Sequence, residues 1–200
     1  MNLSILCVSL PGEVPLETSN QVALLAAGVA ALVTVLGYLA NQYASRRTQR
    51  RDLFASALAA VRAYQDLPYR IRWRARSDEE TRAALGELTY TTLEHMQNFR
   101  ALLELESRIV AMAYTDLVRE TRRLGGPFRQ SAWRTPPAQG DEAFDQEDPG
   151  YRYENQPELE LCLMAMQREL RPYGPLLRRA TRRRILSHRR RRAVSSRTSS

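Results

Sequence analysis

The sequence contains no lysine and very few of the residues that build metal centres. All 30 basic side chains are arginine, and the chain has only 2 cysteines and 2 histidines. Zinc clusters need several Cys or His ligands, and ferritin-type centres need Glu-x-x-His pairs on facing helices. Neither His95 nor His188 fits such a spacing. The sequence therefore predicts no metal site and no cofactor.

Recognisable catalytic motifs are also lacking. The pair Gly125-Gly126 lies outside any Gly-x-x-x-x-Gly-Lys pattern, so it predicts a helix stop and no phosphate-binding loop. Cys162 falls on an apolar helical face, where a packed thiol is far commoner than a reactive one. We therefore predict that the protein is not an enzyme. A small enzyme, or a lid on a membrane enzyme, is the weakest of three hypotheses.

Charge is absent from residues 18–45, and residues 22–40 form an apolar run of 19 residues. A helix rises about 1.5 Å per residue and a bilayer core is about 30 Å thick, so the run is long enough to span. The sequence predicts a transmembrane helix at 18–45 after a short extracytoplasmic segment at 1–17. The side chains expected to face lipid are Val22, Leu25, Val29, Leu32, Val35 and Leu39.

Three other interpretations of this run fit less well. A buried core helix seldom lacks a polar face, and Thr34 and Tyr38 are the only polar side chains in this one. A signal peptide opens with basic residues, whereas Glu13 and Glu17 precede this run. A lipoprotein anchor at Cys7 would need a small residue before it and an apolar run ahead of it.

Basic residues near the run predict its orientation. Four arginines at positions 46, 47, 50 and 51 follow it, and none precedes it. Cytoplasmic loops carry the excess of Lys and Arg, so we expect the N-terminus outside and the C-terminus in the cytoplasm of a single-pass cell-membrane protein. Cys7 and Cys162 then lie on opposite sides, which excludes a disulfide between them.

Helical periodicity continues beyond the run. An apolar face recurs at i, i+3 and i+4 from Leu53 to Gln65, so the membrane helix is predicted to continue as one rod to about Asp66 and to break at Pro68. Ser77 and Glu80 have the spacing of a capping box. The next helix is predicted from there to Gly125-Gly126-Pro127, either continuous or bent near residues 104–107.

These segments predict an all-α fold. Residues 46–133 are expected to form an antiparallel helical hairpin or bundle with coiled-coil-like packing. Residues 134–155 contain an acidic loop rich in Pro and Gly, and residues 156–172 a short helix with Cys162 on its apolar face. Residues 173–200 are predicted to be a disordered basic tail, or a basic helix continuing through Ile185.

Eleven arginines and no acid lie between Arg171 and Ser200, whereas residues 1–170 hold 19 arginines against 22 acids, a net charge of −3. The tail could lie on anionic lipid headgroups, bind nucleic-acid phosphates, or contact the acidic residues 141–148. It lacks the interleaved aromatic residues that stack on bases, which favours the membrane. The residues concerned are Arg178, Arg179, Arg182, Arg183, Arg184, Arg189, Arg190, Arg191 and Arg192.

Several motifs follow the apolar run: a Tyr-x-x-Arg-Arg stop at 43–47, Phe-Ala-Ser-Ala-Leu-Ala-Ala-Val at 54–61 and Leu-Pro-Tyr-Arg-Ile-Arg at 67–72. The segment from 113–118 to Ala-Trp-Arg at 132–134 and the two prolines at 136–137 adds to them. In these motifs the chain resembles a group of uncharacterised actinobacterial single-pass membrane proteins, over roughly residues 20–137. The resemblance implies a membrane address and a helical shape, and it implies no activity.

Two functional hypotheses follow. The first is a bitopic membrane protein that presents a cytoplasmic helical domain for contact with a protein partner or with a second copy of itself. The alternative is a membrane-tethered nucleic-acid-binding protein that acts through the arginine-rich tail.

Overall fold

A computed structural model describes residues 16–137, 150–171 and 174–198, and describes side chains within 24–137, 150–171 and 178–191. Five helices make up the described part: α1 (Leu16–Arg72), α2 (Glu79–Glu106), α3 (Arg108–Arg134), α4 (Gln156–Glu169) and α5 (Gly174–Thr198). No strand occurs within these residues, so the all-α prediction is confirmed for them. The predicted acidic loop lies largely outside them. The chain divides after Arg47 into two compact units.

The first unit contributes an apolar stretch of α1. One window of this helix has a mean hydropathy of 1.9 and contains no buried residue. By length and composition, the helix is therefore long and apolar enough to cross a membrane. Its large side chains are more than half exposed, from Leu25 at 71% to Leu39 at 53%. The Thr34 hydroxyl donates to the Ala30 carbonyl over 2.8 Å, so this polar group is satisfied within the helix. The predicted spanning side chains lie on this surface, except that of Val22, which is outside the described side chains.

The second unit begins at Thr48 and has its own core. The rest of α1 buries Phe54, Ala57, Val61, Tyr64 and Leu67, at the spacing predicted from the sequence. Because side chains three and four residues apart share one face of a helix, this face can pack as a continuous surface. The apolar face predicted for this helix is therefore confirmed.

Pro68 does not end α1, contrary to prediction, since the helix continues to Arg72. A proline inside a helix removes one backbone hydrogen bond and costs about 3 kcal/mol. Its ring is fully buried here, and Leu67 and Ile71 beside it are each 1% exposed. Burial of these side chains offsets the lost hydrogen bond.

A break at Ser107 separates α2 from α3, which matches the second of the two alternatives, two helices with a bend near residues 104–107. Ser107 has extended backbone (φ −158°, ψ 110°), and its amide still donates to the Leu103 carbonyl. The N-cap of α2 is Asp78, one residue beyond the predicted Ser77. Its carboxylate accepts from the Thr81 amide over 2.8 Å, which lowers the pKa of Asp78.

The Gly125-Gly126-Pro127 segment does not stop α3, so this prediction was also wrong. The helix continues to Arg134, and no residue there adopts a positive φ. Gly125 is required for packing instead. A Cβ atom built at this position would lie 2.7 Å from Tyr64 Cε1 and 2.9 Å from Tyr153 Oη, whereas one at Gly126 would meet nothing within 4 Å.

Helix α3 packs against α2, α4 and α5, and α4 also packs against α5. Tyr114 of α3 donates to the Ala57 carbonyl of α1 over 3.3 Å. Arg129 stacks over Tyr64, 4.9 Å from its ring centroid. Both contacts shift in the same direction along the two helices, so the part of α1 that belongs to the second unit runs parallel to α3.

Arg74, in the turn between α1 and α2, forms hydrogen bonds with the end of α3. The side chain is 6% exposed and donates to the carbonyls of Ile71, Ala132 and Thr135 at 2.8, 3.1 and 2.7 Å. The guanidinium also lies 5.0 Å from the Trp133 ring centroid. Its charge is thus buried with hydrogen bonds, although desolvation lowers its pKa.

Candidate functional site

The basic segment at the C-terminus folds back onto the second unit as α5 (Gly174–Thr198). Thr181 and Ile185 are 2% and 1% exposed, and Ile185 belongs to the main core. The segment is helical, as in the alternative prediction of a basic helix that continues through Ile185. The predicted disordered tail is not confirmed. An arginine-rich helix can therefore carry one buried face.

Three buried or half-buried carboxylates contact two arginines and one histidine on the inner side of α5. Glu169 is the first, with its side chain 6% exposed. Arg178 donates to its two oxygens through Nε and Nη2, each over 3.0 Å. The hydroxyl of Ser107 donates to Oε1 over the same 3.0 Å. This fork-shaped pair ties the start of α5 to α4 and to the α2–α3 break.

The other two contacts lie further along α5. His188 Nε2 is 2.8 Å from Oε1 of Glu158, whose side chain is 2% exposed. Arg189 donates to Asp116 over 2.7 Å and to the Met112 carbonyl over 3.2 Å. From the start of α5 to its end, the residues that it contacts have falling numbers on α4 and rising numbers on α3. Helix α5 therefore runs antiparallel to α4 and parallel to α3.

The sequence did not identify these carboxylates as partners of the tail. A signal was present, because Glu158 and Glu169 stand at helical spacing with the buried Cys162, Ala165 and Met166 of α4. An acid on the apolar face of a helix needs a buried partner. The acidic loop that the sequence suggested as a partner is centred on residues 138–149, outside the described residues.

The predicted tail arginines consequently divide into two groups. Arg178 and Arg189 face inward and are ion-paired. Arg184 faces outward and makes only a weak 3.5 Å contact with the Met164 sulfur. The side chain of Arg192 is outside the described side chains. The other exposed arginines make no ion pair among the described side chains: Arg179, Arg182, Arg183, Arg190 and Arg191.

A groove of about 590 Å³ lies between α4 and α5. Its apolar side chains come from Pro157, Leu161 and Met164 on α4, and His188 and arginines of α5 form the opposite wall. The full lining is Pro157, Glu160, Leu161, Met164, Arg184, Ser187, His188 and Arg191. It combines an apolar surface with a basic rim.

A second groove, of about 460 Å³, lies where α2 and α3 meet beside the start of α5. We call the surface around this groove the α2–α3 corner. It is lined by Glu104, Leu105, Glu106, Ser107, Arg108, Ile109, Met112, Arg178, Arg179 and Arg182. Leu105 is 86% exposed, the largest exposed fraction among the large apolar side chains that the structure describes.

Cys162 and His95 are the other residues that the sequence analysis considered for chemistry. Cys162 is completely buried, and desolvation raises the pKa of its thiol to about 12, so the reactive thiolate is suppressed. His95 lies exposed on α2. The described residues contain no cluster of three or more His, Cys, Asp or Glu side chains suited to a metal ion.

Comparison of the chain with protein-family models, with curated proteins and with solved structures finds no match. The resemblance to actinobacterial single-pass proteins therefore stays a prediction.

Proposed function

We propose that this chain is a bitopic membrane protein that presents a cytoplasmic helical bundle for protein–protein contact. Its N-terminus would lie outside and its C-terminus in the cytoplasm. The groove between α4 and α5 is the observation that carries the contact proposal. Recognition of an amphipathic helix by an apolar groove is a common mode of peptide binding, and it needs both an apolar surface and a polar rim.

The anchor part of the proposal is supported by α1. Twenty consecutive side chains from Leu24 to Tyr43 are exposed, and an exposed apolar surface of this size in a helix is typical of a segment solvated by lipid. The four arginines after the run support the orientation.

The chemistry of the groove indicates the kind of partner. Arg184, His188 and Arg191 stand on its α5 side, and Glu160 is the one acid in the lining. A partner helix with apolar residues on one face and acidic residues along its edge would complement this groove in both shape and charge.

Site-specific photo-cross-linking tests the proposal. A photoreactive residue at Leu161 in the full chain, in host membranes, is expected to give a discrete adduct. The same residue at the exposed Ala83 of α2 is the control and should give none. Met164→Glu, which places a charge on the apolar wall, should abolish the adduct. An adduct with the mass of two chains would identify the partner as a second copy.

The proposal fails if Leu161 gives no adduct, or if Leu161 and Ala83 give the same adducts. An adduct that survives Met164→Glu would also oppose it, since contact would then not depend on the apolar wall.

The outward arginines of α5 favour the alternative, a nucleic-acid binder tethered to the membrane. Arg179, Arg183 and Arg190 lie along one exposed side of α5 without any acid on the helix. Such a stripe attracts phosphates in a salt-dependent way. Retention of RNA or DNA by the intact chain, lost when these three arginines become Gln, would support this function.

A further inference from the structure

The α2–α3 corner exposes two leucines on one side of α2. Leu105 is 86% and Leu102 is 46% exposed, and residues three apart lie next to each other on a helix. The break at Ser107 ends α2 immediately after them, so Leu105 lies in the last turn of this helix. Ile109 and Met112 continue the apolar surface into the adjacent groove.

Basic side chains surround these leucines. Arg108, Arg179 and Arg182 line the same groove, are exposed, and make no ion pair among the described side chains. Arg178 is neutralised by Glu169. Glu106 is neutralised by Arg50.

Glu104 is the only exposed acid left in the groove lining, and it lacks an ion pair among the described side chains. Three arginines against one glutamate leave the corner with a net charge of +2. Positive charge around exposed leucines complements an anionic surface that has an apolar interior.

The corner also lies near the point where the chain enters the second unit. Arg50, which pairs with Glu106, is the third residue of that unit. Arg50 lies ten positions after Ala40, the last residue of the apolar run. Such a segment spans at most about 35 Å in any conformation, so the corner is tethered covalently to the apolar run. Tethering raises the effective concentration of a surface, and weak affinity then suffices for binding.

We propose that the α2–α3 corner docks on the anionic headgroups of the membrane that α1 crosses. Leu102 and Leu105 enter the interface, and Arg108, Arg179 and Arg182 contact lipid phosphates. The corner carries no exposed aromatic side chain for stacking on bases, which disfavours nucleic acid as the occupant. This inference rests on the anchor part of the proposed function and is independent of the α4–α5 groove.

A fluorescent probe next to the leucines tests the docking. The full chain with Cys7→Ser and Ala101→Cys is labelled with an environment-sensitive dye, while the buried Cys162 stays unlabelled. Ala101 is exposed and lies one turn before Leu105. The protein is reconstituted into vesicles of phosphatidylcholine alone or with about one third phosphatidylglycerol. A control carries the dye at Glu80, at the opposite end of α2.

The dye at position 101 should shift to the blue and be quenched by spin-labelled lipids in anionic vesicles only. The dye at position 80 should not respond. High salt should reverse the effect, because surface charges are screened. Arg179→Gln with Arg182→Gln should lower the ratio of docked to undocked domain roughly thirtyfold, since each basic residue near the surface contributes about a factor of five. Arg62→Gln with Arg82→Gln, an equal charge change at exposed positions away from the corner, should leave it unchanged.

An equal response in neutral and anionic vesicles, or none in either, would overturn the proposal. It would likewise be overturned if a single-stranded RNA shifted the dye in neutral vesicles and, in anionic vesicles, abolished the quenching by spin-labelled lipids. Flotation of the protein with vesicles at high pH reports separately on the anchor. A chain that floats without a dye response refutes the docking alone, whereas a chain that does not float refutes the anchor.

Discussion

The two adjacent glycines of α3 allow a matched test of how the second unit packs. Gly125→Ala places a methyl group 2.7 Å from Tyr64 Cε1 and 2.9 Å from Tyr153 Oη. Tyr64 is 1% exposed and lies beneath Arg129, so it has little room to move. Overpacking of a core costs about 1–3 kcal/mol. Gly126→Ala is the control, because a methyl group there meets nothing within 4 Å.

Both substitutions gain the same helix propensity, about 1 kcal/mol for Ala over Gly. Their difference in unfolding free energy therefore isolates the steric cost, and we expect it to be about 2 kcal/mol. Gly126→Ala should raise the melting temperature, and Gly125→Ala should melt about 4–8 °C below it. Adding Tyr153→Phe to Gly125→Ala should recover part of the loss, since the Tyr153 hydroxyl makes no hydrogen bond.

Thermal unfolding of the full chain in nanodiscs, followed by circular dichroism, measures these effects. If Gly126→Ala destabilised the protein, the pair would be the helix stop that the sequence suggests, with residue 126 in a left-handed conformation. Equal melting temperatures for the two variants would refute the contact between Gly125 and Tyr64.

Three further predictions concern the rest of the second unit. Arg74→Met keeps an apolar stem but removes the guanidinium that donates to three carbonyls, so urea titration should show a loss of about 2–4 kcal/mol, with Arg74→Lys intermediate. Cys162 should resist thiol reagents at pH 8 until the protein unfolds. Burial raises the pKa of Cys162 from 9.0 to about 12, so the contribution of this thiol to the unfolding free energy should be fully present below pH 9. That contribution should be lost between pH 9 and 12, and Cys162→Ala should reduce the loss. A double-mutant cycle with Glu169→Gln and Arg178→Gln should give a coupling free energy of about 1 kcal/mol, because the Arg178 side chain is 45% exposed and solvent weakens the ion pair. A coupling near zero would contradict the fork-shaped pair.

Periodicity in the sequence predicts the apolar faces well. The face running from Leu53 to Tyr64 follows from the spacing of its apolar residues. The break near Ser107 was one of two alternatives that the sequence left open. Burial of a helix face depends on such spacing over many residues, which is why the pattern can be recognised in the sequence.

Local signals were less reliable at Pro68 and at Gly125-Gly126-Pro127. Proline and glycine disfavour a helix by about 1–3 kcal/mol each, and burial of neighbouring side chains can exceed that amount. The role of Gly125 depends on Tyr64 and Tyr153, which are 61 and 28 residues away in the sequence. No local pattern contains that information.

The candidate site was predicted only in outline. The sequence marks the arginines of the tail, but pairing with Glu169 and Asp116 depends on how α5 packs across α3 and α4. The α2–α3 corner likewise depends on Leu105 and Arg182 coming together from segments 77 residues apart. Composition alone assigns all the arginines one role, and tertiary contacts separate them into two.

Topology in sealed right-side-out vesicles tests the central claim of a bitopic anchor most directly. A membrane-impermeant maleimide should label Cys7 from outside, and trypsin should reach the arginines of α5 only after the vesicles are lysed. Labelling of Cys7 only after lysis, or cleavage of α5 in sealed vesicles, would contradict the account.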